Sequence, residues 1–174
     1  PKATGPLLVH RLDMSTSGIM LIAKTKRAHK YLHKQFINRN IKKRYVALLD
    51  GDIKEDKGEI NLPLRLDIED RPRQLVCKEY GKTAKTKWEV IKRKQNTTKV
   101  YFYPITGRTH QLRVHAAHQK CINTPILGDD LYGKKSNRLY LHAESIEFEH
   151  PSSKKRINIT SVSYTHLRAH ETIA

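Results

Sequence analysis

Apolar positions change period several times along the chain, and each change marks an element. Ile19 to Ala23 is a short apolar run following Gly18, which predicts a buried strand. Ala28, Tyr31, Leu32 and Phe36 then recur at i, i+3, i+4 and i+8, lining one face of a helix of about three turns from Lys26 to Asn38. The opposite face of that helix is Lys, Arg and His. Arg44 to Leu49 predicts a strand closed by the Asp50-Gly51 turn, and Gly58 to Leu62 a shorter strand stopped by Pro63. Leu75 to Lys78, Thr83 to Lys92 and Lys99 to Ile105 are rich in β-branched and aromatic residues, with period-two alternation through Thr86, Trp88 and Val90. These three predict antiparallel pairing. A short helix is expected from Thr109 to Gln119, then strands over Leu139 to Phe148 and Lys155 to Thr160.

The elements add up to an α+β domain, a mixed and mainly antiparallel sheet with a few flanking helices. A length of 174 residues suits a single core, and neither an internal repeat nor a low-complexity linker divides it. No apolar run approaches the roughly 18 residues of a membrane span, and mean hydropathy is −0.68. The chain begins at Pro1, and Lys2 to Pro6 reads as a loop entering a fold already under way, so the N-terminus is expected to be truncated. At the other end Val162 to Ala174 loses the strand pattern and resembles translated sequencing-adapter read-through. The expected domain is therefore residues 1–161, followed by a non-native tail over 162–174.

Charge narrows the partner. Lys and Arg number 34 against 17 Asp and Glu, a formal +17 that calls for a polyanion. The acids are also unevenly placed. None lies between Asp13 and Asp50, where nine cations fall, and none from Val90 to Gly128. Cys77 and Cys121 are too few for a disulfide framework and form no C-x-x-C pair, which fits a reducing cytoplasm.

Against this basic background Asp13 stands out in His10-Arg11-Leu12-Asp13-Met14-Ser15-Thr16-Ser17-Gly18. A loop just ahead of a strand can present a carboxylate to a cleft and hold it rigidly, although an Asp there also suits a turn. An acid beside a phosphate-gathering surface repels its ligand unless a cation pairs with it or it does chemistry. Thr106-Gly107 should open the next helix, leaving first-turn N–H groups for a phosphate with Arg108 adding charge. Arg113, one to two turns in, could reach a buried carboxylate through a bidentate pair. Tyr45, in Lys42-Lys43-Arg44-Tyr45, is either a half-buried strand aromatic or a stacking surface for a base. His115, His118 and Cys121 recur every three residues but have no fourth ligand nearby, so no metal is expected. No G-x-S-x-G elbow, P-loop or G-x-G-x-x-G is present. On the residues alone, an RNA-directed enzyme and a non-catalytic basic RNA-binding module both remain open.

Six ordered blocks resemble the RluA-type pseudouridine synthases. They are His10-Arg11-Leu12-Asp13 with Thr16-Ser17-Gly18; Lys43-Arg44-Tyr45-Val46-Ala47; Gly81-Lys82 with Ala84 and Thr86; Thr106 to His115; Pro125 to Asp129 with Tyr132; and Leu141-His142-Ala143. Met14, Asp70-Arg71-Pro72-Arg73-Gln74 and Val76-Cys77 look most like the RluA branch itself, whose members modify a uridine in the tRNA anticodon loop and one in a 23S rRNA hairpin.

The resemblance implies an isomerase that turns a uridine into pseudouridine without cofactor, metal or ATP. It implies Asp13 as the aspartate that attacks the uridine, at base or ribose, so that the uracil detaches, turns and rejoins through carbon. Arg11 would enter the RNA stack in place of the flipped nucleotide. Tyr45 would stack on the flipped base and assist proton removal, and Arg113 would pair with Asp13 and keep it ionised. His10, Arg108, His110 and Gln111 would contact RNA, the chain acting as a monomer with no membrane partner. Members of the branch also carry a Lys-Pro-Ser-Gly type segment before the catalytic loop that this sequence lacks, so an exposed sheet edge is expected.

Overall fold

The computed structural model describes residues 2–162. In chain order the elements are β1 (Lys2–Leu8), β2 (Ser17–Gly18), β3 (Ile22–Thr25), α1 (Lys26–Ile37), β4 (Lys42–Leu49), β5 (Lys57–Asn61), β6 (Leu64–Leu66), β7 (Gln74–Val76), β8 (Lys85–Lys94), β9 (Thr97–Pro104), α2 (Gln111–Ala117), β10 (Leu141–Glu149) and β11 (Arg156–Thr160). The main sheet runs β11-β10-β4-β9-β8-β5 with every neighbour antiparallel. Two two-stranded sheets, β1-β3 and β6-β7, flank it. The expected α+β architecture is present.

Burial explains the order of the sheet. β4 sits between β10 and β9, and its last four residues, Val46, Ala47, Leu48 and Leu49, are all buried, as a central strand requires. On β9 Thr98, Val100, Phe102 and Pro104 are buried in alternation, so one face meets the core. Leu112 and Ala116 of α2 pack with Phe102, Ile126 and Leu141. On α1, capped by the Thr25 hydroxyl, Leu32 and Phe36 join a second cluster with Val9, Ile41, Ile146 and Phe148.

Four expectations need correction. Lys2 to Pro6 belongs to a strand rather than a loop, and the Gly5-Pro6 pair that suggests a loop falls where the β1-β3 register shifts, between Lys2 and Leu7. The strand expected at Ile19 begins at Ile22, because the Ile19 and Leu21 N–H groups are taken by Ala143 O and His10 Nε2 instead of a ladder. Strand β7 pairs with β6 in its own small sheet, not with β8. The second helix starts at Gln111, since His110 is left-handed at φ 51, and ends at Ala117, after which His118 turns extended. The tail expected to be non-native lies, from residue 163 on, outside the described residues.

Candidate active site

The loop carrying Asp13 is tied at both ends. Thr16 N–H donates to Asp13 O at 2.9 Å, closing a turn over Met14 and Ser15. Beyond it β2 pairs in parallel with β10, Ser17 opposite His142 and Gly18 opposite Ala143. That edge of β10 is open because β11 covers only Ser145 to Glu149. Glycine is required at position 18: its φ is +115, and an added Cβ would stand 2.3 Å from Ala143 O. Before the turn, His10 Nε2 accepts the Leu21 N–H at 2.8 Å while its ring stacks on Phe36. Burial, with the Lys43 charge beside it, pushes the His10 pKa down to about 4, so the ring stays a neutral acceptor.

The loop forms one wall of a cleft of about 440 Å³ between the C-terminal end of α1 and the start of α2. Asp13, Arg11, Tyr45 and Arg108 line it together, as do Lys43 and Arg39. Asp13 is its only carboxylate among the described residues, against four cations. Lys43 and Tyr45 share a face of β4 by period two. Burial, then the charge of Asp13, pushes the Tyr45 phenol up to about 12, so it remains protonated at neutral pH.

Behind the cleft lies a second set of residues. Arg113, 3% exposed, holds Asp129, 0% exposed, through Nε–Oδ2 at 2.9 Å and Nη2–Oδ1 at 2.6 Å, and its Nη2 also reaches Asp130 Oδ1 at 2.9 Å. Burial opposes the guanidinium charge, but the bonds and charges of Asp129, with Asp13 and Asp130, outweigh it and raise its pKa. Asp129 Oδ1 also accepts the N–H groups of Leu131 and Tyr132. The Tyr132 hydroxyl pairs with His110 Nδ1 at 2.9 Å and accepts the Gln74 N–H. Burial lowers the pKa of His110, against the opposing charge of Asp13.

Several of these side chains already have partners within the fold. Arg113 does reach a buried carboxylate bidentately, but the ion pairs it forms are with Asp129 and Asp130, and Asp13 acts on it only through space. Gln111 is 4% exposed and its amide is consumed internally, accepting from Thr106 Oγ1 and Arg108 N–H and donating to Lys85 O and Thr86 Oγ1. These bonds make it a brace, and the Arg108 N–H it holds is not open to a phosphate. His110 is buried against Tyr132 and does not line the cleft. His10 lines the cleft, but its acceptor nitrogen is already used. His115 is wholly buried, with Nδ1 3.0 Å from Thr86 Oγ1.

Asp129, Tyr132 and Lys43 were visible only as parts of the blocks, without roles. Their signal was position: Lys43 two residues before Tyr45, and Asp129 in Gly128-Asp129-Asp130. Thr16 Oγ1 is also buried at the cleft without a hydrogen-bond partner.

A cleft with one carboxylate among cations, reached by an exposed Arg11, is built for a polyanion on which chemistry is done. Residues 1–118 match the model of the family described as RNA pseudouridylate synthase. The chain belongs to that family. It is an isomerase acting on RNA, and its relatives place it in the RluA branch. It is 48% identical over 158 residues to the dual-specificity RNA pseudouridine synthase RluA of Pasteurella multocida, covering 87% of this chain and 71% of that one. The Escherichia coli protein of the same name is 45% identical over 150 residues, 83% and 67% of the two chains. The solved structure of human RNA pseudouridylate synthase domain containing 1 superposes with a TM-score of 0.79 at 29% identity, covering 91% of this chain and 69% of that one.

Proposed function

We propose that the chain converts a uridine to pseudouridine in the anticodon loop of tRNA and in a 23S rRNA hairpin, using Asp13 as nucleophile. The observation that carries this reading is the single carboxylate of the cleft, fixed on a loop with both ends anchored. The dual specificity in the names of its relatives supports the pair of substrates.

The uridine leaves its stack to reach Asp13, and Arg11, exposed at the rim, fills the vacated place. Asp13 attacks the everted nucleotide as the N1–C1′ bond breaks. The freed uracil turns, C5 bonds to C1′ as the Asp13–C1′ bond breaks and returns the carboxylate, and the C5 proton leaves while N1 takes one up. Tyr45 supports the ring as a neutral phenol. The negative charge of Asp13 is part of what holds that phenol protonated, so Tyr45 assists proton removal by relay, taking the C5 proton as it hands its own hydroxyl proton to water. Arg113 supplies positive potential from behind, its position set by Asp129.

Tritium release from RNA labelled at uracil C5 tests the reading, with an anticodon stem-loop and a 23S hairpin as substrates. Release from both that disappears in Asp13→Asn is expected. Release unaffected by Asp13→Asn would overturn the mechanism, and release from only one RNA would overturn the dual specificity.

A further inference from the structure

Three consecutive cations on β4 have different fates. Lys42 pairs with Glu147 at 3.4 Å and Arg44 with Glu144 at 2.7 Å, both acids on the neighbouring β10. Lys43, between them, points to the opposite face and into the cleft, where it has no carboxylate or hydrogen-bond partner among the described residues. It is nevertheless half-buried. An uncompensated cation drawn out of water is destabilising, so its place is explained by an anion that arrives with the substrate.

The cleft is also electrically divided. Asp13 acts on Tyr45, His110, Arg113 and Tyr132. Lys43 acts instead on His10, whose ring burial keeps neutral. Its ammonium lies beside the bare backbone of Gly107, where an added Cβ would stand 3.6 Å from Nζ, and a larger side chain would cover it. Burial holds the Lys43 pKa down at about 8, so the ammonium is mostly charged at neutral pH and a bound anion would hold it so.

We propose that Lys43 is the phosphate anchor of the cleft, its ammonium binding a backbone phosphate that flanks the everted uridine and so fixing which nucleotide reaches Asp13. The inference rests on the proposed reaction for the identity of that nucleotide. Arg108 lies on the same rim with its Nε donated to Thr83 O, and Arg11, Arg39 and Arg108 are all exposed, which leaves Lys43 as the half-buried one of the cleft's four cations. The ligand chemistry is a phosphodiester of unpaired RNA rather than a base edge, so the contact positions the strand without reading its sequence.

The test is a chemical double-mutant cycle on binding, made in Asp13→Asn so that no turnover intervenes. Stem-loop RNAs with one methylphosphonate at each phosphate near the target uridine are titrated against the Lys43 and Lys43→Met forms. With Lys43 present, neutralising one flanking phosphate is expected to weaken binding about 10- to 100-fold, as for a charge-assisted hydrogen bond. Lys43→Met should lose the same factor on unmodified RNA and nothing further at that phosphate. Its melting temperature should be equal or higher, which separates a lost ligand contact from a damaged fold. Losses that add at every phosphate, or full affinity in Lys43→Met, would overturn the proposal. If Lys43→Met does not fold, the scan with Lys43 intact still decides, because no sensitive phosphate beside the target would refute the anchor. Tritium release by the wild-type chain is measured in parallel, so failure of the reaction and failure of the anchor give different results.

Discussion

Arg113 and Asp129 meet through two parallel hydrogen bonds of 2.9 and 2.6 Å, one residue 3% exposed and the other 0%. The pair joins α2 to the turn that carries Tyr132.

Breaking one side of such a pair leaves a buried charge, so Asp129→Asn should cost about 3–5 kcal/mol of unfolding free energy. Turnover should fall about 100-fold, as Arg113 loses its place behind Asp13. Replacing both members with apolar residues, Arg113→Met with Asp129→Leu, should restore much of the stability but not the activity. Denaturant melts and tritium release on the three variants check this, and a double variant as unstable as the single one would contradict it.

Gly18→Ala should destabilise by roughly 2–4 kcal/mol, because the new Cβ meets Ala143 O in a backbone region hostile to L-residues. The parallel bridge to β10 would open and release the loop behind Asp13. Turnover measured well below the melting temperature should fall with little change in RNA affinity.

Gln111 and Arg108 should separate bracing from binding. Gln111→Leu leaves Lys85 O, Thr86 and Arg108 N–H without their partner and should lower stability by about 2–4 kcal/mol while leaving the salt dependence of RNA binding unchanged. Arg108→Gln should do the reverse: stability nearly intact, and the slope of log affinity against log salt reduced by about 0.7. Melts and salt titrations on both variants decide it.

Acid should weaken the fold through buried histidines. His10 and His115 have folded pKa values held down to about 4, chiefly by burial, against the ordinary 6.5. Between those values the unfolded chain binds protons that the native state refuses, so stability is full above about pH 6.5 and falls as pH drops toward 4. The loss is on the order of 3 kcal/mol per histidine. Urea midpoints at pH 7.5 and 4.5 measure it, and His115→Asn should roughly halve the pH dependence. For His10 the acid form cannot accept the Leu21 N–H, so the loop that carries Asp13 should loosen with it.

Much of the secondary structure was legible because it rests on local periodicity. The helix at Lys26 follows the spacing of Ala28, Leu32 and Phe36, and β8 follows the alternation of Thr86 and Trp88. What was misread depends on partners distant in sequence. Ile19 and Leu21 have a strand-like composition, yet their N–H groups end on Ala143 and His10. His110 breaks the helix register through a left-handed backbone that no side-chain pattern signals.

The candidate site divides in the same way. Asp13, Tyr45, Arg11 and Arg108 were singled out by the resemblance of their blocks to the family, and all four line one cleft. Whether a polar side chain faces solvent or is already spent depends on long-range contacts. Gln111 is consumed by residues 25 and 26 positions away, and Arg113 by one 16 positions away. Lys43 remains unpaired because strand geometry turns it away from the glutamates that satisfy Lys42 and Arg44. The sequence by itself determined the family and the α+β class, and singled out Asp13 as a candidate, because these follow from residue identity and local period. Only the tertiary structure decided which charges cancel and which are left for RNA, because cancellation is a matter of distance and burial between elements far apart in the chain.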